Sequence, residues 1–373
     1  MLRHLSQERL ELHAAGQPAG AGAGSAPAYD ALAAIPGVAL KPTDFGPSLS
    51  DLSPLAKLSG ATQLLPAAAS LLGLARYIRQ HRIQILHSTD RPRDAIACVA
   101  LAALTGAKSV VHVHVKYGDW MSRGVKWALG RADAVVGVSE YVAQSLRQSG
   151  RCRPERVHAV LNAIEPSQWD PMLSPLPGRE SLGVSAITPL IVSVARLFHW
   201  KGHAELIRAL ALVKQQLPTV KLAIVGADYP EGSGTTRDLT ALARELGVAQ
   251  DVIFTGQRRD VATLLAACDV FALPSFEEPF GLVFAEASAM KRPVVALDNG
   301  GTPEVVDHGK GGLLSAPADV DGLANNLCTL LRDPTLRARY GEHGRQQVEL
   351  RFTPARLATD FAALYARLLS EVA

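Results

Sequence analysis

Short apolar runs alternate with helix-length amphipathic stretches along most of the chain. Residues 83–87, 109–115 and 134–138 read as strands in the first half; residues 190–194, 221–225, 252–254, 270–273 and 293–296 do so in the second. Each run is short and nearly all apolar, the pattern of strands buried on both faces in parallel βαβ units. The stretch after Gly202 shows the other period. Leu206, Leu210, Val213 and Leu217 recur at spacings of four, three and four, which predicts a helix with one apolar face, stopped by Pro218.

Alternation breaks between residues 163 and 188, where Pro166, Pro171, Pro175, Pro177 and Gly178 crowd together, and it resumes at Leu190. The reading is α/β: two facing, doubly wound parallel-sheet domains with a cleft between them, 1–165 and 166–353. A last helix, 354–373, packs back toward the first domain. The front of the chain is unusual. Residues 2–8 resemble the tail of a helix, 10–14 a second strand, and 15–28 a Gly/Ala/Pro-rich loop. The opening strand and turn of a parallel domain are missing. A sheet without a central strand exposes unpaired edges, so a start upstream of Met1 is expected.

Composition narrows the classes. With 373 residues, 48% hydrophobic and 20% charged, there is material for sizeable cores and no signature of disorder. A net charge of +3 and 5% aromatics, without a basic stripe, exclude a nucleic-acid module as the default. Cys98, Cys152, Cys268 and Cys328 are scattered without a C-x-x-C, so neither a disulfide scaffold nor a thiolate zinc site is expected, and a reducing cytoplasm is the natural home. The most apolar run, 95–107, is broken by Thr105 and Gly106 and is shorter than the roughly 20 residues of a membrane span. The first eight residues hold no signal-peptide core. Arg76, Arg79, His81 and Arg82 cluster near a helix end, which leaves peripheral contact with the inner face of a membrane open beside a plain solvated face. High alanine and arginine content points to a GC-rich bacterial genome, on composition alone.

Two segments carry candidate chemistry. Arg196 and Lys201 follow a buried strand and precede a helix. In open α/β sheets ligands bind beyond the carboxyl ends of strands, and two cations there suit a phosphate or pyrophosphate; a solvated loop is the bland alternative. In the second, Glu278 and Glu286 flank a Phe-Gly step. Gly281 allows close backbone approach, and the N–H groups of Gly281, Leu282 and Val283 would form an anion site at a helix N-terminus. Glu286 lies among Phe284, Ala285 and Ala287, where a carboxylate needs partners; the vicinal diol of a ribose can donate two hydrogen bonds. The helix dipole alone explains Glu277 or Glu278 well and Glu286 badly. Asp319-Val320-Asp321 reads as a helix cap, not a metal site.

The pair Arg196/Lys201 followed by Glu278-x7-Glu286 resembles the retaining family-4 glycosyltransferases (glycosyl transferases group 1) of the GT-B fold. Gly226, Gly256, residues 269–275, Gly300-Gly301-Thr302-Pro303-Glu304 and Gly311-Gly312-Leu313-Leu314 follow in the family's order. The resemblance runs from about residue 157 to the C-terminus and is thinner over 76–140. It implies a nucleotide-sugar-dependent enzyme that moves a sugar to a hydroxyl of a saccharide or lipid-linked saccharide, in cell-surface polysaccharide or lipopolysaccharide synthesis. Arg196 and Lys201 would hold the diphosphate of a UDP- or GDP-sugar, with the backbone of Phe280, Gly281, Leu282 and Val283. Glu278 would meet donor-sugar hydroxyls and Glu286 the ribose. His114, at the end of its strand, would reach the donor sugar; His112 would pack. Gly300 to Thr302 would be scaffold. Asp90 and Asp119 are acceptor-side candidates, with plain structural roles as the alternative. No cofactor and no metal are expected, the nucleotide-sugar being a substrate. Ala163 departs mildly from the family pattern, where Gly more often follows Asn162. The rival readings are a catalytically impaired, N-terminally short homologue that still binds nucleotide, and a sugar-nucleotide epimerase or glycan phosphorylase on the same fold.

Overall fold

The computed structural model describes residues 1–5, 10–18, 27–46 and 61–370. They form two compact units, Met1–Leu161 with Pro354–Ala373, and Asn162–Thr353. The division falls at Leu161/Asn162, against an expected 165/166.

The first unit opens with a short helix, Leu2–Leu5, whose Leu5 is buried. Strands β1 (Leu12–Gly16) and β2 (Val38–Pro42) pair in parallel, with Leu12 opposite Val38 and Gly16 opposite Pro42. The expected loop over 15–28 needs correcting at both ends. Ala15 and Gly16 are in β1, paired with Lys41 and Pro42, and Pro27 opens the helix Pro27–Leu32; residues 19–26 lie outside the described residues. The helix Ala61–Gln80 buries Leu74, Ala75 and Ile78 on one face. It ends where Arg82 takes φ +50 and the Ile83 N–H donates to Ile78 O. That closure delays the next strand to β3 (Ile85–Thr89), two residues later than the apolar run suggests.

Strands β4 (Lys108–Val113), β5 (Ala134–Gly137) and β6 (Val157–Ala159) complete a four-stranded parallel sheet in the order β3-β4-β5-β6. The β1–β2 pair is a separate sheet among the described residues. The helices Pro92–Thr105, Arg123–Arg131 and Glu140–Gln148 connect the strands. Ser139 caps the last of these, its hydroxyl accepting from Val142 N–H. The helix Pro354–Ser370 belongs to this unit. Its Phe361 ring lies 4.8 Å from His87 and 5.1 Å from His112, and its Tyr365 hydroxyl shares a 2.5 Å hydrogen bond with His87 Nδ1.

The second unit is one parallel sheet of β7 (Leu190–Val194), β8 (Lys221–Val225), β9 (Val252–Gly256), β10 (Val270–Leu273), β11 (Val294–Leu297) and β12 (Gly312–Ser315). The order is β12-β11-β10-β7-β8-β9, so the winding reverses between β7 and β10. Leu190 to Val192 and the whole of β10 and β11 are buried, as near-continuous apolar runs require. The helix His203–Gln216 buries Leu206, Leu210 and Val213 against that sheet. Asp319 caps the helix Val320–Arg332 by accepting from Gly322 N–H, as its spacing predicts. Among the described residues no helix is long and apolar enough to cross a membrane.

Candidate functional site

The reversal of strand order puts the carboxyl ends of β7 and β10 side by side, the position where doubly wound sheets receive ligands. Arg196 and Lys201 leave β7 there; Glu278, Gly281 and the helix Leu282–Ala289 leave β10. Backbone contacts tie the two loops together. Phe276 N–H donates to Trp200 O at 2.8 Å, and Gly202 sits directly over the β10 exit. Gly202 has φ +72, and a Cβ there would lie 2.0 Å from Pro274 O, so no other residue fits without moving one loop off the other.

The two cations are held differently. The exposed Arg196 guanidinium stacks on the Tyr229 ring, 4.2 Å from its centroid. Tyr229 rides on a loop whose Asp228 carboxylate accepts from Thr236 Oγ1 and from the N–H groups of Gly234 and Thr236. The Thr236 hydroxyl, foremost, holds that carboxyl below its usual range. Lys201 Nζ lies 3.9 Å from the Trp200 ring centroid and 2.6 Å from Glu278 Oε2. Both ends of that ion pair are largely buried, with 13% and 10% of the side chains exposed. Neighbouring His203 is buried at the head of its helix and burial pushes it down to about 4, so it adds no charge beside the cations at neutral pH.

Across the loop, Gly281 takes φ +86, and a Cβ would strike the Phe284 ring at 2.3 Å. This residue turns the chain so that the helix begins at Leu282, with its leading N–H groups outside the intrahelical ladder. Phe280 turns inward, 2% exposed and edge-on to Phe352, so only its backbone is available to a ligand. Gly301 N–H donates to Glu278 O at 2.7 Å, so the 300–302 turn braces the acidic loop from behind. Glu286 is half-buried one helical turn further in. Among the described residues no side-chain hydrogen bond or ion pair reaches its carboxylate, and burial pushes it up to about 6.

Arg196, Lys201, Glu278, residues 280–283 and Glu286 therefore belong to one end of one sheet. Three further candidates lie in the first unit. His114 follows β4 and stacks on buried His112, ring centroids 4.4 Å apart. Partial burial holds the His114 imidazole below its ordinary range, against the opposing pull of Asp90. The Asp90 carboxylate accepts from His114 N–H at 3.2 Å and so ties the ends of β3 and β4 together. Asp119 is fully exposed and pairs at 3.2 Å with Lys126. Tyr229 and Trp200 went unread in the sequence. Trp200 immediately precedes Lys201 and was legible as a ring beside a cation; Tyr229 is brought to Arg196 only by the packing of the β8 loop.

Two family models match the chain: Glycosyl transferases group 1 over residues 179–347, and Glycosyltransferase Family 4 over residues 46–168. A GDP-mannose-dependent monoacylated alpha-(1-6)-phosphatidylinositol monomannoside mannosyltransferase of Corynebacterium glutamicum is 30% identical over 305 residues, 77% of each chain. An alpha-maltose-1-phosphate synthase of Mycolicibacterium smegmatis is 31% identical over 264 residues, 67% of this chain and 66% of the relative. The chain spans about half to two thirds of the length of several curated relatives it matches. In fold it resembles Anabaena Alr3699/HepE, solved in complex with UDP, at a TM-score of 0.75 and 22% identity, covering 96% of this chain and all of that one. Two Rossmann-like parallel units of the GT-B class, these matches and the residues at the β7/β10 reversal agree: the chain belongs to the family-4 glycosyltransferases.

Proposed function

We propose that the protein is a retaining glycosyltransferase that moves a sugar from a nucleotide-sugar to a hydroxyl of a saccharide or lipid-linked saccharide, in building cell-surface polysaccharide or lipopolysaccharide. The observation that carries this reading is the convergence at the β7/β10 reversal of two cations, a glycine-turned helix N-terminus and a carboxylate that no side chain among the described residues pairs with. A nucleoside diphosphate has the complementary groups: a negatively charged diphosphate for the cations and N–H groups, and a ribose diol for Glu286. The GDP-mannose dependence of one relative and the UDP held by one structural neighbour support a donor of that class.

In the proposed course, the acceptor oxygen bonds to the anomeric carbon from the face that the diphosphate leaves. The anomeric C–O bond breaks, and the departing phosphate oxygen takes the acceptor's proton. Arg196, Lys201 and the helix N-terminus at Leu282 stabilise the charge that develops on the diphosphate, without a metal. Glu278, freed from part of its contact with Lys201, accepts from donor-sugar hydroxyls. His114, kept neutral, offers a ring N–H to the donor sugar.

Calorimetric titration with UDP, GDP and their sugars tests the reading. One nucleotide should bind in the micromolar range, and Glu286→Ala should weaken it about 10–100-fold, the worth of a hydrogen bond to a charged group. A folded protein that binds neither nucleotide overturns the proposal. Binding without turnover of any donor leaves the non-catalytic reading in its place.

A further inference from the structure

Outside the cation loops, a second cluster joins the start of β1 to the end of the Ala61–Gln80 helix. Glu11, His13 and His81 each offer one ligand atom, and these atoms lie within 4.8 Å of one another. The His13 ring is well covered, with 10% of its side chain exposed, while Glu11 is 77% exposed. Both nitrogens of His13 are engaged: Nδ1 lies 2.9 Å from the Tyr77 hydroxyl and Nε2 lies 3.1 Å from Glu11 Oε1. Tyr77 also stacks on His81, ring centroids 4.1 Å apart, so one tyrosine orients both imidazoles.

We propose that Glu11, His13 and His81 form a binding site for a divalent transition cation of the zinc type. Two imidazole nitrogens and one carboxylate oxygen are a ligand set that Zn²⁺ accepts, leaving a fourth position to water. When His13 donates its Nδ1–H to Tyr77, its Nε2 lone pair faces the Glu11 carboxylate, and a cation between them turns two opposed lone pairs into two ligands. A histidine ligand whose other N–H is held by a neighbour is the usual arrangement around such metals. Closing the present spread to coordination distances takes side-chain rotation of His81 and Glu11, both on the surface. Lys41 Nζ lies 5.7 Å from the Tyr77 ring centroid and is the nearby positive charge the site must tolerate. Bound metal would clip β1, whose only strand partner among the described residues is β2, to the C-terminal end of the Ala61–Gln80 helix, which the strand already meets through His13 and Tyr77. The site is separate from the donor chemistry and stands or falls independently of it.

The test is titration of the tag-free full chain with ZnCl₂, with MgCl₂ as control, alongside hydrogen exchange at β1. One equivalent of Zn²⁺ should bind, Mg²⁺ should not, and exchange at residues 12–16 should slow. His81→Asn and His13→Asn should each weaken binding more than tenfold, and Tyr77→Phe about tenfold, as for loss of an orienting neighbour. His81 is exposed, so its variant retains the fold, which circular dichroism checks. Absence of stoichiometric Zn²⁺ binding, or undiminished binding in His81→Asn, overturns the proposal; the latter would place the metal on other histidines.

Discussion

The second unit builds its chemistry on one six-stranded sheet whose central strands are buried, and the first on smaller sheets whose outer strands are half-exposed. In the second, β10 and β11 are wholly buried, and the candidate residues sit on loops pinned by Gly202 and Gly281. In the first, β1 and β3 are half-exposed along most of their length, and the reactive groups are imidazoles packed in a row, His87, His112 and His114. The difference teaches how each unit controls charge. The second keeps a charge pair at its centre, Lys201 with Glu278 under cover, even as burial works against charge on His203 and Glu286. The first suppresses them: burial pushes His87 down to about 4 and His112 to about 2.

The largest expected effect breaks the charge-keeping side. Arg196→Ala and Lys201→Ala should each lower kcat by about 10²–10³, the usual loss of one charge-assisted donor from a preorganised site. Lys201→Ala also strands Glu278 as a buried unpaired charge, which costs about 3–5 kcal/mol of stability. The double variant Lys201→Met with Glu278→Gln should recover most of that stability and none of the turnover. Thermal unfolding together with initial rates separates the two roles. A loss of rate below tenfold in either single variant would remove the residue from the donor site.

The next effect tests the charge-suppressing side. An unfolded chain protonates its histidines below pH 6.5, while native His87 and His112 resist until about 4 and about 2. The unfolded state therefore binds more protons in that window, so stability is full above pH 6.5 and falls as pH drops. For His87 alone the loss at pH 5 is about 2 kcal/mol. Hydrogen exchange at β3 and β4 should quicken between pH 7 and pH 5, after correction for intrinsic rates, and His87→Gln should flatten that response. Equal protection at both pH values would mean that water already reaches the imidazoles.

The same contrast governs what the sequence discloses. Five of the six strands of the second unit were legible because each is a continuous apolar run between breakers, as in residues 270–273, while the run read at 293–296 lies one residue before the observed Val294–Leu297 and β12 went unread as a strand. The residues at the β7/β10 reversal could be singled out as candidates from two cations after an apolar run and two glutamates about a Phe-Gly step, and the family resemblance joined the two segments. What could not be read depends on packing between distant segments. Tyr229 under Arg196, and His81 beside His13, meet only after the fold is made. The start of β3 was misplaced because Ile83 is apolar yet spends its N–H on closing the preceding helix. The strand read over residues 10–14 falls two residues later, at Leu12–Gly16, and its partner β2 (Val38–Pro42) went unread, since both are half-buried and show neither clean alternation nor a buried run.

The smallest effect is the most diagnostic, because it sets stability and binding against each other at one residue. Burial raises Glu286 from 4.5 to about 6, so the native state holds a proton that the unfolded chain has released between those values. Stability is then greatest below pH 4.5 and declines as pH rises to 6, by about 2 kcal/mol, and stays flat above. A ribose diol, in contrast, binds the ionised carboxylate. Nucleotide affinity should therefore rise by up to about tenfold from pH 5 to pH 7 as Glu286 ionises. Glu286→Gln, with no charge to desolvate, should be more stable than the parent at pH 7 and bind nucleotide less well there. The diphosphate titrates in the same range, so the informative quantity is the ratio of parent to variant affinity, in which that contribution cancels. A ratio that grows with pH ties the raised carboxyl to the ribose. A constant ratio would make Glu286 a strained packing residue and leave the nucleotide to the cations alone.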